Sequence, residues 1–122
     1  MAFPGTYNIS YYKGDTFEFN VAPKDSSGAA FDLTDYSALF TIADTRGSSP
    51  ALSFAAWTEK SSDNKFLKCA IRPADGVNLN AGQTYVYDIQ ITSSITDPYP
   101  QVYTILNGSI TVTDEVTGAG GA

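Results

Sequence analysis

The chain has 122 residues, 43% hydrophobic, 13% aromatic and only 16% charged, which fits one domain able to bury a single core without metal or disulfide staples. Seven Lys and Arg against 13 Asp and Glu leave a net charge of −6, and this argues against nucleic acid, whose binders cluster cations on phosphate. Histidine is absent and cysteine occurs once, so imidazole-based catalysis, a zinc site and an intrachain disulfide all fall away.

The opening Met1-Ala2-Phe3-Pro4-Gly5 has no basic region ahead of an apolar run, so no secretory signal is read there. No stretch approaches the roughly 18 uninterrupted apolar residues of a membrane helix. The expectation is a protein made in a cytosol that stays soluble and does not engage a membrane.

Along the chain the dominant period is two. Tyr7, Ile9 and Tyr11 alternate with Asn8, Ser10 and Tyr12 as a first strand, and Lys13-Gly14-Asp15 makes a tight connection. Phe17, Phe19 and Val21 alternate with Glu18, Asn20 and Ala22 until Pro23 stops the second strand, and Asp25-Ser26-Ser27-Gly28 is a turn. Asp32 to Ala43 has two readings. Asp32-Leu33-Thr34-Asp35 is able to cap a helix, but the alternation of Tyr36, Ala38, Phe40 and Ile42 before Asp44-Thr45-Arg46-Gly47 favours a third strand. Ala51 to Thr58 is a fourth, with Leu52, Phe54 and Ala56 on one face and Trp57 as a core or edge filler.

Ser61-Ser62-Asp63-Asn64 turns into a fifth strand, Phe66 to Arg72, on which Leu67, Cys69 and Ile71 share a face. Cys69 reads there as a small buried hydrophobe, with no imidazole to activate it. Pro73-Ala74-Asp75-Gly76 opens an irregular crossover to the clearest strand, Thr84 to Thr92, where Tyr85, Tyr87, Ile89 and Ile91 oppose Val86, Asp88 and Gln90. Asp97-Pro98-Tyr99-Pro100 is a loop, since proline donates nothing to a ladder. Val102 to Val112 is the last strand, and Asn107-Gly108 reads as a bulge or bend within it.

About seven short strands at this spacing predict a single immunoglobulin-like β-sandwich of antiparallel strands over residues 1–122, with flexible arms at about 1–5 and 117–122. Leu79-Asn80-Ala81-Gly82-Gln83-Thr84-Tyr85 has the Leu-x-x-Gly-x-x-Tyr form of a tyrosine corner, in which the hydroxyl bonds to backbone a few residues upstream.

Chemistry is sparse in this pattern. The carboxylate pairs Asp32 with Asp35 and Asp114 with Glu115 sit in turn or terminal contexts, where Asp caps backbone N–H groups. There is no Asp-x-Asp-x-Asp-Gly run for calcium and no Gly-x-x-x-x-Gly-Lys cradle for phosphate. The expectation is a non-enzyme without cofactor or metal. Of the eight tyrosines, Tyr7, Tyr11, Tyr85 and Tyr87 are in phase with the core. Tyr12, Tyr99 and Tyr103 are out of phase or on loops, and they are the candidate partner contacts, for protein or for sugar rings.

Gly82-Gln83-Thr84-Tyr85-Val86-Tyr87-Asp88-Ile89-Gln90, then Tyr103 to Val112 with Gly108, then Asp114-Glu115-Val116-Thr117, resembles small β-sandwich virion proteins of tailed bacteriophages. Gly14-Asp15-Thr16-Phe17 and Phe31-Asp32-Leu33-Thr34 are similar to the layout of baseplate upper-protein N-terminal domains. The resemblance is motif-specific over Gly82 to Thr117, and the residues that carry it are Gly82, Tyr85, Tyr87 and Gly108. It implies a virion structural protein made in the host cytoplasm. The placement it implies first is a capsid decoration or cement protein on the major capsid protein, present as a homo-oligomer or in many copies. Tail or baseplate placement, or attachment to host glycans, are its alternatives. A start methionine of its own and a Gly-Ala tail that neighbours would have to pin favour the head.

Overall fold

The computed structural model describes residues 5–24, 27–44, 53–95 and 98–114. Eight strands follow one another as β1 (Gly5–Thr6), β2 (Ile9–Tyr12), β3 (Phe17–Val21), β4 (Tyr36–Ala43), β5 (Ser53–Lys60), β6 (Leu67–Ile71), β7 (Thr84–Ser93) and β8 (Val102–Thr113). A single helical turn, α1 (Pro73–Gly76), lies between β6 and β7. The fold is all-β, as the period-two pattern predicts, and within Asp32 to Ala43 a turn leads into a strand over Tyr36–Ala43, with no helix.

The larger layer runs β1/β2, β8, β7, β4 and the first half of β5. The smaller layer holds the second half of β5, then β6 and β3. β5 joins the two: Ser53–Ala56 pairs with β4, whereas Trp57–Lys60 pairs with β6. The strand pairs are antiparallel as expected except at one edge, where β1 and β2 run parallel to β8. Two layers closed by a strand that changes sheets are an immunoglobulin-like sandwich.

The core is the inward phase of each strand. Ile9, Tyr11, Phe40, Ile42, Leu67, Cys69, Ile71, Tyr85, Tyr87, Ile89, Ile91, Ile110 and Val112 are all buried, and Leu33 and Leu79 close the ends. Tyr7 departs from its predicted place: it is 42% exposed, in the gap between β1 and β2, with its ring 5.7 Å from Phe19 on the other layer. Trp57 is half-buried opposite Ala70 on the outer side of the smaller sheet. Its phase is that of Glu59, not of Phe54.

Local chemistry sets the connections. In the β5–β6 turn the Ser61 hydroxyl donates to Asp63 Oδ1 at 2.7 Å and accepts from the Lys65 and Phe66 N–H groups, with Asn64 at φ 58°. α1 begins with Pro73, whose missing N–H costs nothing there. Asp75, 5% exposed, accepts from the Arg72 N–H at 2.9 Å and from the Arg72 guanidinium at 2.9 and 3.0 Å. Burial by itself raises the Asp75 carboxyl, but these bonds and the guanidinium charge outweigh it and hold the group below its ordinary value.

Gly108 is not the bulge the sequence suggests. β8 runs unbroken through it, and the register shift falls earlier: Ile89 pairs with Leu106 and Gln90 with Thr104, which leaves Ile105 as the extra residue. A Cβ on Gly108 would instead collide with the Tyr7 carbonyl oxygen. The glycine permits a close backbone approach where the Tyr7 peptide lies against β8. Of the predicted N-terminal arm, Gly5 already belongs to β1. Residues 1–4, the Arg46 loop, Leu52, Asp97 and the tail from Glu115 onward lie outside the described residues.

Candidate functional site

Tyr99 and Tyr103 come together at one end of the sandwich, where β4 begins, β7 ends and β8 begins. Tyr103 lies 6.3 Å, ring to ring, from Tyr36 and from Phe31, and Phe31 stacks edge-on against Tyr36 at 5.3 Å. Tyr99, 65% exposed, stands over two depressions. One of about 440 Å³ is lined by Tyr99 to Tyr103, and one of about 140 Å³ by Tyr36, Ser93, Ile95, Tyr99 and Gln101. Ile95 and Val102 are also more than half exposed there.

The loop that carries Tyr99 is braced at its stem. The Ser93 N–H donates to the Gln101 carbonyl at 2.8 Å, the Ser94 N–H to the Asp35 carbonyl at 2.8 Å, and the Ile95 N–H to Ser93 Oγ at 3.0 Å. Pro98 and Pro100 flank Tyr99 and restrict its backbone, so little entropy is lost when the ring is held by a partner. The Tyr103 hydroxyl donates to Gln101 Oε1. Burial, with Tyr103 and Asp35 nearby, raises the Tyr36 hydroxyl above its ordinary value.

Tyr12, the third candidate contact, is 54% exposed but lies elsewhere. It pairs with Thr113, ten residues along β8 from Tyr103, which is roughly 33 Å at about 3.3 Å per residue. Tyr36 and Ile95 complete the aromatic end, and nothing in the sequence pattern marks them as contacts. Tyr36 is in phase with the core, and only the packing shows that its end of β4 is open.

The residues that carry the sequence resemblance all have work inside the fold. Gly82 adopts φ +84°, a turn conformation suited to glycine. The Tyr85 hydroxyl accepts from the Asn80 N–H at 2.8 Å and donates to Gln83 Oε1 at 2.9 Å. The Tyr87 hydroxyl donates to the Tyr7 carbonyl at 2.5 Å, and Gly108 makes room for that carbonyl.

The carboxylates do not converge on a cleft. Asp32 accepts from the Thr34 N–H at 3.0 Å and from its hydroxyl at 2.5 Å, and these bonds lower its carboxyl below the ordinary range. Asp35 and Asp114 are exposed, and Glu115 lies outside the described residues. Burial pushes the Cys69 thiol up to about 12. Among the described residues no three Cys, Asp or Glu stand close enough together to hold a metal ion, and no helix is long and apolar enough to cross a membrane.

A third depression, of about 400 Å³ and mainly apolar, lies between the layers, lined by Tyr7, Phe19, Val21 and Leu106 among others.

No protein-family model matches the chain, and no curated protein matches it. Among solved structures it is similar to PcoC, a copper resistance protein from Escherichia coli, at 16% identity and a TM-score of 0.36, over 86% of this chain and 90% of that one. A likeness this distant brings no copper chemistry to this chain. The expectation of a capsid decoration protein, together with its tail, baseplate and glycan-attachment alternatives, is corrected: no family model and no curated protein supports it. The physical reason lies in the motif itself: Gly82, Tyr85, Tyr87 and Gly108 are spent on turns and backbone clamps within a sandwich, so the pattern reports a way of folding and no biological setting.

Proposed function

We propose that the chain is a non-catalytic protein-binding domain whose contact surface is the aromatic end built by Tyr36, Tyr99 and Tyr103. The observation that carries this reading is Tyr99, 65% exposed between two prolines on a braced loop, above two depressions walled by other tyrosines. Rigid aromatic side chains in that setting offer large contact area at small entropic cost. Asp35, beside Tyr36, makes the rim favour an apolar or cationic side chain of the partner over an anionic one.

The test places a photo-cross-linking amino acid at position 99 of the full chain in its native source and identifies the adduct by mass spectrometry. The expected result is one predominant protein adduct, lost when Tyr36→Ala and Tyr103→Ala are introduced. Adducts that are absent, or that survive both substitutions, would remove the aromatic end as the contact surface.

A further inference from the structure

We propose that two copies of this chain pack face to face through the outer surface of the larger sheet. The two outer surfaces of the sandwich differ in charge. The smaller sheet presents Glu18, Lys68 and Glu59, with a long 4.0 Å ion pair between the last two, as a solvated face does. The strands of the larger sheet contain no Lys or Arg and a single carboxylate, Asp88, in a chain whose net charge is −6.

What replaces the charges is small, neutral and apolar. Cross-strand pairing sets Leu39 beside Gln90, Thr41 beside Asp88, and Val102 beside Thr92, all on the outer side. Leu39 is 51% exposed and Val102 is 52% exposed. With strands about 4.8 Å apart and about 3.4 Å per residue, the forty residues of these strands make a face on the order of 650 Å². That lies at the lower end of what each partner contributes to a standard protein interface, about 600–1,000 Å².

The occupant is a second copy because the face is self-complementary in chemistry. It has donors and acceptors in Thr, Ser, Asn and Gln, apolar contact in Leu39, Val86 and Val102, and almost no charge to repel its own kind. A two-fold axis through the face lets each patch meet itself. Elsewhere the net negative charge of the chain opposes self-association, so this is the surface on which two copies approach at least electrostatic cost. The face shares Val102 with the rim of the aromatic end, but the pairing does not rest on the protein-binding role proposed there.

Sedimentation equilibrium of the full chain, over a series from micromolar to millimolar, tests it. The expected mass approaches twice 13.0 kDa. Leu39→Arg and Gln90→Arg, both pointing to solvent in the single copy, should each weaken the dimer by about tenfold or more, since like charges are brought together across the axis. Glu18→Arg, on the other sheet, should leave it unchanged. Hydroxyl-radical footprinting of the unaltered protein should show Leu39 and Val102 protected in concentrated samples and open in dilute ones. A monomer throughout the series overturns the proposal, even if another protein is later found to cover Leu39. So does a dimer that survives both arginines, or one that Glu18→Arg dissociates.

Discussion

The Tyr87 hydroxyl donates to the main-chain carbonyl of Tyr7, 80 residues earlier, at 2.5 Å, and so ties the N-terminal strand to the centre of the larger sheet. The same peptide is held from a second side. Asn8 Oδ1 accepts from the Ser109 N–H at 3.1 Å and from its hydroxyl at 3.2 Å. β1 and β2 pair only with β8 among the described strands, so these side-chain bonds supplement a short ladder. Tyr87→Phe keeps the ring in the core and removes the donor. The expected loss is about 1–2 kcal/mol of unfolding free energy in urea, with hydrogen exchange of residues 9–12 rising before that of β7. Unchanged exchange in β2 would show that the hydroxyl does not hold the strand.

Gly108→Ala tests the same joint by sterics. The added methyl collides with the Tyr7 carbonyl, which is backbone and cannot swing aside. The expected cost is about 2–4 kcal/mol by thermal or urea unfolding, larger than for Tyr87→Phe because the strand must lift as well as lose a bond. Gly5→Ala is the comparison, since its Cβ would meet only Leu106 Cδ1 at 3.5 Å and should be tolerated.

Tyr85→Phe removes an acceptor from the Asn80 N–H and a donor to Gln83, and leaves the ring buried. About 1–2 kcal/mol should be lost in equilibrium unfolding. The Gln83→Ala variant should lose less, because it leaves the Asn80 N–H paired.

Acid stability should depend on the Arg72–Asp75 clasp. The carboxyl of Asp75 is held below its unfolded value, so the stability it contributes is present in full above about pH 4 and is lost as pH falls through the folded value. Arg72→Ala removes the two guanidinium bonds and the charge, and leaves only the bond from the residue-72 N–H to set against burial. The direction then reverses, because a buried carboxylate without its guanidinium is raised. Acid unfolding followed by circular dichroism should begin at higher pH in that variant, and an unchanged midpoint would show that the clasp contributes nothing.

Cys69 should be silent to thiol reagents in the folded protein. It is 2% exposed and burial pushes its thiol up to about 12. Modification by a disulfide reagent at pH 8 should follow the unfolding rate and become immediate in denaturant.

Much of the architecture was legible in side-chain alternation. Tyr85, Tyr87, Ile89 and Ile91 alternate with polar residues over a stretch too long for chance, and one face of such a strand has to be buried. Leu67, Cys69 and Ile71 were legible for the same reason. Trp57, Gly108 and Tyr7 were not. Each depends on a partner distant in sequence: the exchange of sheets within β5, the Tyr7 peptide over Gly108, and the ring of Phe19. A local pattern carries no record of such partners.

By itself, then, the order of residues determined an all-β sandwich, its inward faces and the absence of imidazole chemistry, because period-two burial and composition are properties of the chain alone. Only the folded arrangement decided that Tyr99 and Tyr103 share one end while Tyr12 stands apart, and that the uncharged strands lie side by side as one face. Those are relations between segments scores of residues apart, and they exist only once the ladder has set its register.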